Sequence, residues 1–436
     1  MTAVGCVLAA LGYAWNRDPL FFPGLLLAAG GLAACSWRAV RRGAKRLPLV
    51  LNTAVALLLS LMVVEPFLRE RDDGEQGSAV YRFEDARADP QAFRRWAERY
   101  QAEWDRTRRL YLRRDPRGVN PMVPIPGSRF RFFDSPHRIN ALGFRGREIA
   151  REKGAAYRIV ALGESTTFGA TIGPADRPWP EVLERRIGEE LDCAAPVEVI
   201  NAGVPGWTLA NNLARLDADI WPLDPDLIVS YHGYNGFPYL IREIPGLRVG
   251  ATPATPARPS ELLRRLERRL RVSLFRRRYR AARDLDLAAL GTDLHLTRYA
   301  ELYRQLVFDA RRAGVDLVLA TFNLAVDASS PEEVIEFYEL MFPDIRARVL
   351  ANRLHTRLVR EIGSTYDVRV IDTSPDLDGA YRSAYLDPMH FTQEGRDRLA
   401  RHILAGIRDL LASGAGCTRR APVPGAAGDV SPEGLR

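Results

Sequence analysis

The sequence predicts an α/β fold with a five-stranded parallel sheet, preceded by N-terminal transmembrane helices. Five short apolar runs alternate with stretches of helical periodicity from residue 157 onward. Continuous apolar strands separated by helices are typical of parallel sheets covered on both faces. Two nearly uncharged stretches near the N-terminus each have about the 20 residues that a membrane helix needs. The chain has 436 residues and 47% hydrophobic content, which is ordinary for globular protein.

The first 70 residues form the predicted membrane anchor. Residues 19–37 and 47–68 are the two long apolar stretches, and residues 2–15 are a shorter third, so two or three transmembrane helices are expected. A cleaved signal peptide would need a positive N-terminal region, which this chain lacks. Residues 38–46 carry five positive charges and no negative ones, which places this loop in the cytoplasm. Everything after residue 70 is then expected on the periplasmic side of a bacterial inner membrane.

Four segments follow from composition and periodicity. After the anchor we predict a charged helical linker and N-terminal extension over 71–150, an α/β domain over 151–412, and a disordered tail rich in Gly, Ala and Pro over 413–436. In the extension, aromatic residues recur at helical spacing and predict a packing stripe: Phe93, Trp96, Tyr100 and Trp104. Insertions at 238–293 and 322–345 follow the third and fourth strands, where they can cover a site.

The α/β domain is predicted from the strands and helices in their order. The apolar runs are residues 157–162, 197–200, 227–231, 315–321 and 368–371. Helical periodicity lies between and after them, at residues 179–191, 208–220, 296–313, 346–362 and 392–411. Ligands of parallel α/β sheets bind beyond the carboxyl ends of the strands, so residues that follow these runs are the candidates for a site.

Chemically useful residues follow three of the strands and precede the last helix. Ser165 lies at a strand-to-helix turn, where free N–H groups and the helix dipole favour negative charge. Gly206 follows the second strand and Asn235 the third, and Asp387 precedes His390 by three residues. Each residue alone has an ordinary structural explanation as a cap or turn residue. Together they supply a nucleophile, two oxyanion donors, and a base with a carboxylate that orients it.

The order and spacing of these residues resemble those of the SGNH hydrolases, the GDSL-like esterase and lipase superfamily. The similar blocks are Gly163-Glu-Ser165, Asn201-Ala-Gly-Val-Pro-Gly206, Gly233-Tyr-Asn235 and Asp387-Pro-Met-His390, within residues 157–412. The resemblance implies a flavodoxin-like three-layer α/β/α fold and an acyl-ester substrate. It also implies that Ser165 is the nucleophile, His390 the base and Asp387 its orienter. The oxyanion would be held by the Ser165 N–H, the Gly206 N–H and the Asn235 amide.

The sequence departs from the family pattern at two positions. Glu164 stands where the family usually has Asp, and Gly236 replaces the Asp that commonly follows the third-block Asn, which puts the positioning of Asn235 in question. Gly203 is a rival to Gly206 as the second-block donor, although the register after Asn201 favours Gly206. His232 is expected to lie behind the reacting groups rather than to act as the base.

These features predict a membrane-anchored extracytoplasmic serine esterase of O-acetyl or other O-acyl esters. An O-acyltransferase acting on cell-envelope polysaccharide would use the same triad, and a non-enzymatic binding module could keep the same fold. The ester could belong to a sugar, a lipid or the cell wall. No cofactor is expected, and the cysteines lack the spacing of a metal site. Cys193 and Cys417 of the soluble part could pair in an oxidising compartment.

The net charge of +8 is concentrated in one segment. Residues 258–283 contain eleven arginines against two glutamates, and Leu262, Leu266, Leu270 and Leu274 repeat every four residues. This pattern predicts a basic amphipathic helix, which either packs its leucines on its own domain or rests on anionic lipids or glycans. Nucleic acid is not expected as a partner, because the segment is predicted to lie outside the cytoplasm.

Overall fold

The computed structural model describes residues 103–132, 135–170, 177–242, 294–339, 342 and 344–420, with residues 37, 40, 41 and 52 near the N-terminus. All of the described residues from 103 onward belong to one compact unit. Within this described part of the chain, no helix is both long and apolar enough to cross a bilayer. Apart from those four residues, the predicted membrane anchor lies outside the described residues. So do Phe93, Trp96 and Tyr100 of the aromatic stripe, the basic segment 258–283, most of the insertion 238–293 and the tail beyond 420.

The strands form one large sheet and three small antiparallel pairs. In chain order they are β1 (Leu112–Arg114), β2 (Met122–Pro124), β3 (Arg129–Phe132), β4 (Ser135–Arg138), β5 (Tyr157–Gly163), β6 (Leu191–Asp192), β7 (Val197–Gly203), β8 (Leu227–Tyr231), β9 (Asp316–Ala320), β10 (Arg369–Ile371) and β11 (Thr418–Arg419). The five strands predicted from the apolar runs are β5, β7, β8, β9 and β10, and each run matches its strand to within a few residues.

The large sheet is parallel and has the order β10-β9-β8-β5-β7. Counted along the chain, this is the flavodoxin-like order 2-1-3-4-5, so the predicted five-stranded parallel sheet is confirmed. Gly163, at the end of β5, is in register with Gly203 of β7 and Tyr231 of β8. The loops that follow these three strands therefore emerge at one level, on the carboxyl edge.

Nine α-helices among the described residues have both ends defined. They are α1 (Ser165–Phe168), α2 (Trp179–Glu190), α3 (Leu209–Ala214), α4 (Phe237–Ile241), α5 (Arg298–Ala313), α6 (Glu332–Glu339), α7 (Ile345–Thr365), α8 (Ser374–Leu377) and α9 (Gln393–Ala415). On one face of the sheet α2 packs against α9, and on the other α5 packs against α3 and α7. The main core fills the space between these layers, and every residue of β5 and β8 is buried.

Residues 103–150 are the described part of the predicted linker and N-terminal extension, and they pack against the α/β domain. Residues 103–111, which include Trp104 of the predicted stripe, are helical and lead into β1. A second hydrophobic core joins this extension to the α/β domain: Tyr111, Leu112, Val123, Phe130, Phe132 and Ile139 pack with Phe168, Ala170, Val204 and Trp207. These apolar side chains come from β-strands and turns that bury one face each, a pattern that the high charge of the segment conceals in the sequence.

The predicted disordered tail begins too early at residue 413. Helix α9 continues to Ala415 and ends at Gly416, whose φ of 63° is in the left-handed region that glycine tolerates. Cys417 then forms a disulfide with Cys193, and β11 pairs with β6 next to it. The described chain is thus ordered through residue 420 because a covalent bond and a short strand pair hold its end.

The insertion predicted at 322–345 contains α6 and is folded against the domain. Phe322, Leu324 and Val326 are fully buried within the main core. Arg346, at the start of α7, donates hydrogen bonds to Glu339 and Glu332 of α6, which fixes this helix on the carboxyl side of the sheet.

Candidate active site

Ser165 is placed by a very tight turn at the end of β5. It is the first residue of α1, so its backbone N–H lies at a helix N-terminus. A side chain at Gly163 would not fit, because its Cβ would lie 2.0 Å from Thr167 Oγ1 and 2.8 Å from the Tyr231 carbonyl oxygen. The strand can therefore turn directly into the helix, and the Ser165 hydroxyl lies half-buried beyond the sheet edge.

His390 and Asp387 come from the loop before α9 and meet Ser165. His390 Nε2 is 2.8 Å from Ser165 Oγ, and His390 Nδ1 is 2.6 Å from Asp387 Oδ2. Asp387 Oδ1 accepts hydrogen bonds from the N–H groups of Met389 and His390 at 2.9 and 2.8 Å. The three predicted triad residues therefore form one continuous hydrogen-bonded chain.

The electrostatics of Asp387 determine which nitrogen of His390 carries the proton. Burial would raise the pKa of Asp387, but the His390 charge and the hydrogen bonds from His390 and Met389 lower it below its usual value. An ionised Asp387 accepts a hydrogen bond from Nδ1–H and thereby leaves the Nε2 lone pair facing the Ser165 hydroxyl. This is the tautomer that a general base needs in order to take the serine proton.

The predicted oxyanion donors lie in the loops that follow β7 and β8. Asn235 donates a hydrogen bond from Nδ2 to the Trp207 carbonyl oxygen at 2.8 Å, which holds its amide next to the second-block loop. A primary amide has two N–H groups, so the second remains for an oxyanion. Gly206 is exposed and has a φ of 79°, a conformation that glycine adopts without strain. The roles of Gly206 and Asn235 stay predictions, which substitutions can test.

The geometry favours Gly206 over its rival Gly203. The Gly203 N–H already donates to Asn201 Oδ1 at 3.0 Å. A Cβ on Gly203 would lie 2.3 Å from the Phe168 backbone nitrogen, so this glycine serves the close approach of β7 to α1. Gly206, in contrast, has open space around its Cα and lies in the loop beyond the strand.

Glu164 has a role that the sequence did not reveal. Its side chain is buried, and its two carboxylate oxygens accept hydrogen bonds from the N–H groups of Gly233 and Asn235 at 3.0 and 2.9 Å. Burial raises the pKa of Glu164 to about 7, against the lowering effect of these two donors. The carboxylate thus ties the nucleophile turn to the loop that carries Asn235.

Gly236 does not leave Asn235 without support. A Cβ at this position would lie 2.4 Å from Tyr299 Cζ, so the packed tyrosine ring requires glycine here. Asn235 is instead held by Glu164 through its backbone and by Trp207 through its side chain. The departure from the family pattern is therefore compensated by the neighbouring loops.

His232 lies behind the site, as predicted. Its ring is fully buried, Nδ1 is 2.9 Å from Ser230 Oγ, and Nε2 is 3.0 Å from Asn212 Nδ2. Because the Asn212 amide nitrogen is a donor, Nε2 must accept, which requires a neutral ring. Burial lowers the pKa of His232 to about 3, in agreement with this neutral form. In addition, no cluster of His, Cys, Asp or Glu that could hold a metal ion occurs within the residues that the structure describes.

Two tryptophans that were not predicted as site residues also contact the active centre. The Trp104 ring is stacked on the His390 imidazole with centroids 5.7 Å apart and planes inclined by 28°. Trp207 donates from Nε1 to the Met122 carbonyl oxygen at 3.2 Å and accepts from Asn235 through its own carbonyl oxygen. The aromatic stripe predicted from sequence included Trp104, but helical spacing gives no indication that it contacts a histidine far away in the chain.

The flavodoxin-like sheet and the Asp387–His390–Ser165 chain define an α/β serine hydrolase. Residues 161–398 match the GDSL-like Lipase/Acylhydrolase family, which is more than half of the chain. The chain therefore belongs to this family, that of the SGNH hydrolases, and is an ester hydrolase. Among curated proteins, no sequence matches it.

The chain is similar to several solved structures. The lipase/acylhydrolase from Enterococcus faecalis is 19% identical over 61% of this chain and 100% of its own, with a TM-score of 0.34. An acetylxylan esterase from Geobacillus stearothermophilus is 16% identical over 58% of this chain and 95% of its own, with a TM-score of 0.35. At these values the likeness says nothing of the substrate.

Proposed function

We propose that this chain is a membrane-anchored, extracytoplasmic serine esterase that hydrolyses O-acetyl or other O-acyl esters of the cell envelope. The observation that carries the proposed chemistry is the continuous hydrogen-bonded chain from Asp387 through His390 to Ser165. No other nucleophile within the described residues has a base held in this way.

The proposed reaction has two acyl transfers. Ser165 Oγ attacks the ester carbonyl carbon while its proton passes to His390 Nε2, and the carbonyl oxygen becomes the oxyanion. His390 then gives the proton to the leaving alcohol as the C–O bond breaks, which leaves an acyl group on Ser165. Water repeats the sequence, with its proton going to His390, and releases the carboxylic acid. Ser165 N–H, Gly206 N–H and the Asn235 amide stabilise both oxyanions, each by about 3 kcal/mol.

A small acyl group is favoured by the surroundings of the reacting atoms. His390 is only 3% exposed, although Ser165 beside it is half-buried. A base this deeply buried leaves little of the reacting centre open, which favours a compact acyl group. We therefore expect acetyl esters to be better substrates than octanoyl esters.

The proposed location is supported by the sequence and by the disulfide. Residues 19–37 and 47–68 have the length and apolar character of membrane helices, and the loop 38–46 carries the charge of a cytoplasmic loop. The Cys193–Cys417 bond is of a kind that persists in oxidising compartments such as the periplasm. The basic segment 258–283 would add a second contact with anionic headgroups of the same membrane.

The hydrolysis is tested with full-length protein on p-nitrophenyl acetate, butyrate and octanoate. We expect turnover that is fastest for acetate and that falls by a factor on the order of 10⁴ or more in Ser165→Ala. Equal rates for the parent and Ser165→Ala would contradict the proposed role of Ser165.

An acyltransferase uses the same triad and differs in the acceptor. The deep burial of the His390 imidazole favours an acyltransferase, because restricted access of water would let a sugar hydroxyl compete with water for the acyl group. Adding an oligosaccharide acceptor to the assay separates the two functions. Free acetate as the main product supports the esterase, whereas acetylated sugar as the main product would identify a transferase.

The topology is tested with reporters fused to the C-terminus. We expect alkaline phosphatase, which needs disulfides, to be active, and a cytoplasmic reporter to be inactive. The opposite pattern would overturn the proposed orientation without affecting the proposed chemistry.

A further inference from the structure

The catalytic imidazole is covered by a residue from outside the family segment. The family match begins at residue 161, yet Trp104, in the helical residues 103–111 of the extension, lies against His390. The ring centroids are 5.7 Å apart, and the planes are inclined by only 28°, which is a stacked arrangement. The extension thus contributes to the active site a residue that lies outside the segment shared with the family.

Trp104 is itself held in place by the second core. Phe132 contacts its ring edge to face, with centroids 4.5 Å apart and planes at 79°. About two turns further along the same helix, the Tyr111 ring stacks on the rings of Phe130 and Phe168, with centroids 4.9 and 5.6 Å apart. The helix that carries Trp104 is therefore fixed to α1, the helix that begins with the nucleophile.

We propose that Trp104 is a positioning residue that holds the His390 imidazole in its productive orientation and stabilises the imidazolium formed during acyl transfer. When Ser165 attacks, its proton moves to His390 Nε2, and the ring becomes a cation. A cation within about 6 Å of the face of an indole is attracted by the ring quadrupole, and Trp is the strongest of the aromatic partners. The stabilised species exists only while the reaction proceeds, so the interaction lowers the barrier.

The Asp387 carboxylate acts on the imidazole from another direction than Trp104. Asp387 Oδ2 lies 2.6 Å from His390 Nδ1. It acts in the plane of the ring, along the Nδ1–H bond. Trp104 acts on the face of the ring, where an in-plane hydrogen bond does not restrict tilting.

The kinetic test compares Trp104→Phe and Trp104→Leu with Leu110→Ala in the full-length protein. Phe keeps a weaker aromatic face and Leu keeps apolar bulk only, so kcat should fall in the order Trp, Phe, Leu, with Trp104→Leu about 10-fold below the parent. KM for the acetyl ester should change little. Leu110 is exposed on the same helix and lies outside the second core, so Leu110→Ala should keep both kcat and thermal stability near those of the parent.

The pH profile distinguishes this role from simple packing. Without the indole the imidazolium is less stable, so the acid limb of kcat/KM should move to lower pH in Trp104→Leu. A mere loss of packing would lower the rate without moving the limb. Equal kcat in Trp104→Phe and Trp104→Leu, or an unmoved limb in both, overturns the proposal.

A spectroscopic measurement needs no substrate and thus no active enzyme. A protonated imidazole in contact with an indole quenches its fluorescence. The emission difference between the parent and Trp104→Phe should therefore fall as the pH decreases through the acid limb. The same difference taken in a His390→Gln background should be independent of pH in this range. Two results would overturn the contact. One is an emission difference that does not depend on pH when His390 is present, and the other is a pH dependence that is unchanged in the His390→Gln background.

Discussion

At the scale of single residues, one carboxylate in this site does two tasks at once. Asp387 uses Oδ2 to hold the imidazole and Oδ1 to accept the N–H groups of Met389 and His390. The turn that places His390 and the charge that orients its ring thus depend on the same side chain. A spacing of three residues thus lets one carboxylate hold both the turn and the ring.

Asp387→Asn should lower kcat by about 10³- to 10⁴-fold while leaving the fold intact. The Asn oxygen can still accept the two backbone N–H groups, but its amide nitrogen would face His390 Nδ1 and favour the wrong tautomer. Steady-state kinetics together with a thermal melt test this expectation. A loss of activity that is matched by unfolding at the assay temperature would contradict it.

Glu164 should make stability depend on pH. Its pKa is raised by burial to about 7 in the folded protein, above the usual value of 4.5. For such a group the stabilising contribution is complete below pH 4.5 and is lost as the pH rises to about 7. The free energy of unfolding should fall between these values by up to about 1.4 kcal/mol per pH unit from this group.

The measurement is urea denaturation at several pH values, compared with Glu164→Gln. The variant cannot ionise, so its slope in this range should be smaller than that of the parent. It should also lose activity, since an amide oxygen can replace only one of the two carboxylate oxygens that accept from Gly233 and Asn235. An identical slope in both proteins would mean that Glu164 does not titrate there.

A substitution at Gly206, in the oxyanion loop, has a matched control in Gly118. Both have positive φ values, 79° and 71°, and neither would bring an added Cβ within 4 Å of another atom. Replacement by Ala should cost each about 1 kcal/mol of stability from backbone strain alone. Only Gly206→Ala should also lower kcat, because Gly206 is the predicted oxyanion donor and Gly118 is not. Similar losses of kcat in both variants would argue against Gly206 as a donor.

The sequence identified residues whose position follows from local pattern. Ser165, Gly206 and Asn235 were found because continuous apolar runs mark parallel strands, and the carboxyl ends of such strands share one edge. Glu164 and Trp104 were not assigned to the site, because their partners are backbone N–H groups and a ring brought close only by folding. A buried carboxylate such as Glu164, which binds backbone N–H groups of loops, produces no periodic pattern in the sequence. An aromatic stripe predicts that one face of a helix packs, but it does not identify the residues that pack against it.

At the scale of elements, the disulfide closes the edge of the molecule opposite the active site. Cys193 and Cys417 are 224 residues apart and lie beside the β6–β11 pair, near the amino end of β7. Triad residues lie beyond the carboxyl ends of the strands. The bond therefore constrains the unfolded chain strongly without contact with the reacting groups.

Replacing both cysteines by Ser should lower the free energy of unfolding by about 2–5 kcal/mol. Activity at 25 °C should stay close to that of the parent, because the catalytic edge does not depend on the bond. Urea denaturation and ester hydrolysis measure the two effects separately, and reductant added to the parent is the control. A loss of activity in the folded double variant would contradict the separation of the two edges.

At the scale of the whole molecule, the extension and the α/β domain share a core and should unfold together. Phe130 is nearly buried in the extension and packs with Phe168 through Tyr111. Phe130→Ala should cost about 3–5 kcal/mol, and Trp fluorescence and activity should still be lost in one coincident transition. Phe308→Ala, at a position that is 54% exposed, is the control and should change stability by less than about 0.5 kcal/mol. Two separate transitions would show that the extension is an independent unit.

The second core also determines where the chain can be cut. A fragment that begins at residue 161, where the family match starts, would expose Phe168, Val204 and Trp207 to water as one hydrophobic patch. Such a patch promotes aggregation. A recombinant fragment intended for crystallisation should therefore start before Glu103, so that the helix carrying Trp104 and the four short strands remain to cover it.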